Sequence, residues 1–343
     1  MKRVRAAVVG ASGYTGEELV RILLRHPGIE LTAVTSRQQA GQRLDTVYGL
    51  GPGVTELTFA DTAATELAPL ADVFFLALPH GLAPEFALPL REAGRQVFDL
   101  SADFRLKNPA LYQEFYGVAH PAPDLLAESV YGLPELNRTA LATADLVACP
   151  GCYPTSIQLA LAPALSLEWI DPQAIVINSL SGVSGAGRKA DLALLFCECA
   201  ESAKAYSFPL HRHHPEIEQE LSRLAGQSLT VAFTPHLIPI VRGMLSTISA
   251  PWVGPDLSDA ELAERAAEFY DGCPFIQVLP PPLAPEIRKV ARTNRCDLAF
   301  RRDRRTGRLL ALSAIDNLGK GAAGQAVQAF NLRAGYPETF GLV

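Results

Sequence analysis

Three features of the sequence predict an α/β chain: a Rossmann-type parallel-sheet domain followed by an α+β domain on a mixed sheet. The N-terminal stretch RVRAAVVGASGYTGEELVRILL reads as a strand, a glycine turn and an amphipathic helix. Strand-like runs then alternate with helical patterns to about residue 150, as expected of βαβ units in a parallel sheet. Beyond that point the strands lengthen and are joined by loops, which suits a sheet with antiparallel pairs.

In chain order, the apolar run Ala6–Val9 is the first strand, with Leu19, Val20, Ile22 and Leu23 at helical spacing after it. IELTAVTS is a second strand, Asp72–Pro79 a third that is buried on both faces, and Gln96–Ser101 and Asp145–Pro150 continue the series. The later strands lie in QAIVINSLSGVSGAG, LTVAFTPHLIPIVRGMLSTISAPWV and CDLAFRRDRRTGRLLALSAID, with Arg301–Arg308 as a hairpin turn. LPPPLAPE is a stiff extended loop. Near the end, DNLGKGAAGQAVQAFNLRAG runs from a glycine-rich turn into a helix whose Ala326, Val327, Ala329 and Phe330 are expected to pack back onto the first domain. The predicted division is 1–150 with 316–343 for the Rossmann-type domain, and 151–315 for the α+β domain.

Composition narrows the function. A chain of 343 residues, 48% hydrophobic and 19% charged, is an ordinary globular protein of about two domains. Its net charge of −6 argues against nucleic-acid and anionic-membrane partners, which need a basic surface. The N-terminus is basic then apolar, yet Ala6–Val9 is too short for a signal-peptide core. No run approaches 18 apolar residues, so no membrane span is expected. Six cysteines in a chain this long fit reduced thiols, and a cytoplasmic location is expected.

The glycine turn GASGYTG places Gly10, Ser12, Gly13, Tyr14, Thr15 and Gly16 between a strand and a helix, where a pyrophosphate sits on helix-start N–H groups. The spacing is G-x-x-G-x-x-G, not the commonest dinucleotide fingerprint. The second strand ends in VTSRQQ without the acid that marks an NAD site, and Glu30 lies at its wrong end. Ser36 and Arg37 suit a 2′-phosphate instead, so NADP(H) is the expected cofactor.

ACPGCYPT admits three readings: a redox dithiol, half a zinc site, or one nucleophile beside a bystander. The pair ends a strand of a nucleotide-binding sheet, which is the wrong context for a dithiol, and Cys197 and Cys199 are too close together to complete a zinc site. Cys152 follows a Pro-Gly turn and opens a helical run, where partial positive charge favours thiolate, while Cys149 stays in the strand. Pro163 is expected to end that helix. HRHHPEIEQEL offers His211 with Arg212 and Glu216, at a histidine spacing that matches no common zinc pattern, so no metal is expected.

SGYTGEELVRIL, LALPHG, DLSADFRL, YGLPELNR, ACPGCYPT, SGVSGAGRKA, HRHHPEIEQEL, PHLIPIVRGM and AIDNLGKGAAGQA, in that order from residue 5 onward, resemble the N-acetyl-γ-glutamyl-phosphate reductases of arginine biosynthesis. The resemblance implies a small-molecule acyl-phosphate substrate and a homodimer or homotetramer. A carrier-linked aminoadipyl-phosphate reductase of lysine biosynthesis is the neighbouring alternative, and Tyr153-Pro154 speaks for the glutamyl enzyme. In the implied chemistry Cys152 forms a thioester that a hydride then reduces, with His211 as acid/base, a contribution of roughly 10²–10⁴-fold. The resemblance also implies substrate contacts from Ser101, Arg105, Ser181, Lys189, Arg212 and Glu216. Pro79, Ser184, Gly185 and Asn317 are the further cofactor candidates, and Thr155 is expected to cap the helix beside Cys152.

Overall fold

The computed structural model describes residues 3–51, 53–188 and 190–343. It falls into two compact units, Met1–Pro150 with Ala322–Val343, and Gly151–Gly321. The crossing back to the first unit therefore comes at Ala322, six residues later than the position read from the sequence.

The first unit is built on β1 (Val4–Val9), β2 (Ile29–Thr35), β3 (Phe59–Ala60), β4 (Val73–Leu76), β5 (Gln96–Asp99), β6 (Val130–Tyr131) and β7 (Leu146–Ala148). Their order is β3-β2-β1-β4-β5-β7-β6, with every pair parallel. The order reverses between β1 and β4, which in a doubly wound sheet leaves a crevice at the strand ends. Both faces are covered, so the central strands are apolar throughout. Ala6 and Val8 of β1 pack with Leu19, Val20 and Leu23 of the helix Tyr14–Leu23, while Ala7 and Val9 face a second core with Leu76, Ala87 and Leu90. The helix Gly324–Arg333 joins the first of these cores through Ala326, Val327, Ala329 and Phe330, as expected.

The second unit carries β8 (Ile175–Gly182), β9 (Lys204–Ala205), β10 (Val231–Ile238), β11 (Met244–Pro251), β12 (Ile276–Val278), β13 (Cys296–Asp303) and β14 (Arg308–Ile315) in the order β12-β13-β14-β11-β8-β10-β9. Only β8/β10 and β12/β13 run parallel, which gives the predicted mixed sheet. The four central strands alternate between buried and half-exposed positions, so one face is covered and the other is not.

The helix Cys152–Ser166 lies within this unit and buries almost its whole length. Its buried Ser156 hydroxyl bonds those of Ser246 (2.9 Å) and Ser313 (3.0 Å). Pro163 does not end this helix, which runs on to Ser166. A proline there leaves the carbonyl four residues back, Leu159, without its helical donor. The Tyr270 hydroxyl takes that place, donating to the Leu159 carbonyl at 2.5 Å. Tyr270→Phe should leave a buried acceptor unpaired and cost about 1–3 kcal/mol. Calorimetry should show a lower unfolding temperature with little change in the native circular dichroism, and an unshifted transition would refute the substitute-donor role.

Candidate active site

The glycine turn of the first unit is fixed by crowding at two positions and open at a third. Gly10 has φ +84°, and a Cβ there would lie 2.6 Å from the Ala77 carbonyl oxygen. A Cβ on Gly16 would come within 2.6 Å of the Gly10 oxygen, so both positions need glycine. Gly13, the residue before the helix Tyr14–Leu23, has nothing within 4 Å of such a Cβ. An anion can therefore approach the helix start at Gly13, beside half-exposed Thr15 and exposed Tyr14. At the end of β2, the Ser36 hydroxyl donates to Ser12 Oγ at 2.8 Å, and Arg37 is exposed, 3.9 Å from Asp61.

The turn holding exposed Pro79 is anchored by Asp103, which is fully buried. Asp103 accepts from the Gly81 and Ala83 amides and pairs with His80 Nδ1 at 2.6 Å. Burial opposes its charge, but His80 and the Gly81 amide outweigh that and hold its carboxyl below the usual range.

Ser101 and Arg105, the expected phosphate contacts, are both buried and build this loop. The Ser101 hydroxyl donates to Asp99 Oδ2 (2.8 Å) and accepts from the Asp103 amide (3.0 Å). Arg105 donates from Nε to the Cys149 carbonyl (2.8 Å) and from Nη2 to the Leu100 carbonyl (2.9 Å), which ties the ends of β5 and β7 together. Cys149 is wholly buried, and burial, then Asp99, pushes its thiol far above the ordinary range.

In the second unit Cys152 is the first residue of its helix, after Gly151. The Gly151 amide donates to Glu216 Oε1 at 2.9 Å, in the first turn of the helix His214–Ala225. Glu216, expected at the substrate, is thus buried and holds the turn that carries the thiol. Thr155 does not cap the helix: its hydroxyl donates back to the Gly151 carbonyl at 2.9 Å. A Cβ on Gly321 would lie 2.7 Å from Cys152 Cβ, so only glycine lets the turn 316–321 rest on the cysteine.

That turn is held by Asp316, which the sequence reading did not single out. Its buried carboxylate accepts from Arg242 Nε (2.7 Å) and Nη2 (2.9 Å), from the Leu318 and Gly319 amides, and from the Arg292 amide. Asn317 Oδ1 accepts from the Gly243 amide (2.6 Å), and its Nδ2 donates to Ser184 Oγ (3.0 Å). The Gly182, Val183 and Ser184 amides in turn donate to the carbonyls of Gly243, Ile240 and Val241. Ser181 is buried and Gly185 exposed in the same loop, whereas Lys189 lies outside the described residues.

His211 is 5% exposed. Its Nδ1 accepts from the His213 amide at 3.1 Å, and the rings of Tyr153, Tyr206, His213 and Phe233 stand 4.9 to 5.8 Å away. Burial, then the charges of Arg212 and His214, lowers its pKa to about 4. Arg212 is exposed, and His214 bonds the Val231 carbonyl through Nε2, a structural role. Tyr206 went unmarked in the sequence; its hydroxyl donates to that of Tyr153 at 3.0 Å, and Cys152 acts electrostatically on both. Among the described residues no group of His, Cys, Asp and Glu is placed to hold a metal ion.

The chain matches the model of the semialdehyde dehydrogenase NAD binding domain over residues 5–144 and that of the semialdehyde dehydrogenase dimerisation domain over 152–317. It is 52% identical to the N-acetyl-gamma-glutamyl-phosphate reductase of Moorella thermoacetica, covering 99% of this chain and 98% of that protein. It is 50% identical to the protein of the same name from Akkermansia muciniphila, covering 100% and 99%. Among solved structures, the fold resembles aspartate semialdehyde dehydrogenase II from Vibrio cholerae (TM-score 0.73, 16% identity, 97% and 99% covered). It also resembles the Candida albicans aspartate semialdehyde dehydrogenase with NADP (TM-score 0.72, 16% identity, 96% and 98% covered).

Asp99 gives this region a pH signature. Burial, then Asp103, pushes its carboxyl from 3.8 up to about 7. The folded value lies above the unfolded one, so folding favours the protonated form. That contribution is complete below about pH 4 and is lost as pH rises through 7. Asp99→Asn cannot titrate, so its stability should fall less between about pH 4.5 and 7 than the parent's, with no difference in slope above about pH 8. Equal slopes in both proteins would refute the assignment.

Proposed function

The chain belongs to the N-acetyl-γ-glutamyl-phosphate reductases of the semialdehyde dehydrogenase family. On that premise we propose that it uses NADPH to reduce N-acetyl-L-glutamyl 5-phosphate to N-acetyl-L-glutamate 5-semialdehyde and phosphate in arginine biosynthesis. The observation that carries this reading is the setting of Cys152, which opens a helix, sits beneath Gly321 and has its turn pinned by Glu216.

The residues present fit NADPH. Gly10 and Gly16 keep side chains out of the turn, and Gly13 opens the helix start to a pyrophosphate. At the end of β2, Ser36 and Arg37 offer a hydroxyl and a guanidinium to a 2′-phosphate, and Asp61 is an exposed, weak competitor for Arg37. When bound, NADPH supplies the hydride that reduces the acyl group.

The chain's own residues prepare that acceptor. The Cys152 thiolate attacks the acyl carbon, phosphate leaves, and a thioester remains on the enzyme. A thioester carbonyl accepts hydride far more readily than a carboxylate does. Arg212 and Lys189 are the proposed cations for the departing phosphate, and Ser181 is proposed to line the acyl site. Asn317, oriented by Gly243 and Ser184, is the proposed partner of the nicotinamide carboxamide. The six cysteines are free thiols, as suits a cytoplasmic enzyme.

The reading includes a homodimer formed on the uncovered face of the second sheet. That face presents Val176, Leu180, Ala232, Thr247, Leu310 and Leu312 at half-exposed or exposed alternate positions, with the polar Asn178, His236 and Arg308 on the same face. Thr247→Arg places a charge at its centre and should turn a dimer into a monomer by light scattering; a monomeric parent would refute the interface.

Phosphate-dependent reduction of NADP⁺ with N-acetyl-glutamate semialdehyde tests the reaction in reverse. Cys152→Ser should abolish it while NADPH still binds by fluorescence, and Cys149→Ser should keep it. Turnover by the Cys152 variant would overturn the nucleophile assignment.

A further inference from the structure

The segment 287–293 is locked against the turns that build the second unit's site. Gly243 has φ +102°, and a Cβ there would lie 2.3 Å from Ile287 Cγ2, so only glycine lets the helix Ile287–Val290 rest on the turn 240–243. Val290 is wholly buried, and the Thr293 hydroxyl donates to its carbonyl at 2.7 Å. A Cβ on Gly319 would lie 2.6 Å from the Thr293 carbonyl oxygen, a second close approach. Between these contacts the Arg292 amide donates to Asp316 Oδ2, on the carboxylate that Arg242 also holds.

Arg292 differs from its neighbours in backbone and in charge. Its φ of +64° lies in the left-handed region, which a long side chain enters at a cost. Such outliers persist where the surrounding structure over-determines them, and they cluster at ligand sites. The other cations of this wall are paired: Arg288 and Lys289 with Glu286, Arg295 with Asp297, and Arg242 with Asp316. Among the described residues the exposed Arg292 guanidinium meets no acid.

We infer that Arg292 takes the α-carboxylate of the substrate in a forked pair and so selects an acyl chain that ends in an acid. The inference rests on the reductase reading and supplies the second anchor of its substrate. N-acetyl-glutamyl phosphate is anionic at both ends, and the proposed cations Arg212 and Lys189 serve only the phosphate. The α-carboxylate lies about 5 Å from the reacting carbonyl, across four carbon–carbon bonds. Asp316 links Arg292 to the thiol: its carbonyl accepts from the Gly321 amide at 2.9 Å, and Gly321 rests on Cys152. An extended arginine spans a further ~6 Å from its backbone, so guanidinium and carboxylate can meet beside the turn 316–321. Arg242 cannot serve instead, because Nε and Nη2 of its guanidinium are both on Asp316.

The test measures the reverse reaction with N-acetyl-glutamate semialdehyde and with its α-carboxamide, which keeps the shape and loses the charge. The parent's KM for the acid should lie about 10- to 100-fold below that for the amide, as for one charge-assisted pair. Arg292→Gly should raise the acid's KM to about that of the amide, leave the amide's KM in place and change kcat less than KM. Glycine suits φ +64°, so calorimetry should show the variant unfolding no lower than the parent, which separates a lost anchor from a folding defect. A preference for the acid that survives in Arg292→Gly, or a parent without one, would overturn the anchor. No turnover of the acid by the folded parent would instead sink the reaction assigned above.

Discussion

The Asp316 carboxylate is the constraint on which the second unit's site depends. A buried carboxylate costs several kcal/mol unless donors surround it. Asp316 meets that demand with both forks of Arg242 and three backbone amides drawn from two separate turns. A partner lost from so buried a pair costs about 3–5 kcal/mol, so the three loops it joins hold one arrangement. The loop of Ser181 and Ser184 is stitched to the turn 240–243 by three backbone bonds. The turn 316–321 brings Asn317 to Ser184 and Gly321 to Cys152. Chemistry that needs sub-ångström placement is thereby built on a rigid salt link and not on loose loops.

The same economy explains why the site residues sit where helices begin. Cys152 and His211 both take their setting from the start of a helix, one as its first residue and the other through the His213 amide. Glu216 joins the two starts, because it lies in the first turn of one helix and accepts from the residue that precedes the other. An acid in a helix's first turn is favoured by the helix dipole, and this one also satisfies a buried amide. Gly151, just before Cys152, is therefore tied by a backbone hydrogen bond to the helix that follows His211.

Much of this was legible in the sequence wherever the signal is local. The glycine turn, the alternation of strands and helices, the hairpin at 301–308 and the helix that begins at Cys152 all follow from short-range patterns. The errors came where a distant residue supplied the missing group. Pro163 looked like a helix stop because the hydroxyl that replaces its amide lies on Tyr270, 111 residues beyond the bonded Leu159. Thr155 looked like a cap, but Gly151 gives its amide to Glu216 and its carbonyl accepts the Thr155 hydroxyl. Arg242 and Asp316 both lay in motifs that carried the resemblance, yet their pairing across 74 residues leaves no trace in spacing. Tyr206 stood in a stretch without periodicity, and only its contact with Tyr153 and His211 gives it a role.

The two cysteines of ACPGCYPT show why spacing alone misleads. A dithiol needs two thiols that both ionise and meet, and the pair here is divided by the chain's passage from a strand into a helix. Cys149 follows a buried strand, with its amide on the Asp99 carbonyl and its own carbonyl on Arg105. Burial there disfavours a thiolate, and the nearby acid adds to the effect. Cys152, three residues on, meets a helix start, a glycine turn laid on its Cβ and two tyrosine hydroxyls within electrostatic reach. Identical side chains thus meet different surroundings through backbone context, and Gly151, whose amide Glu216 holds, is the point where that context changes.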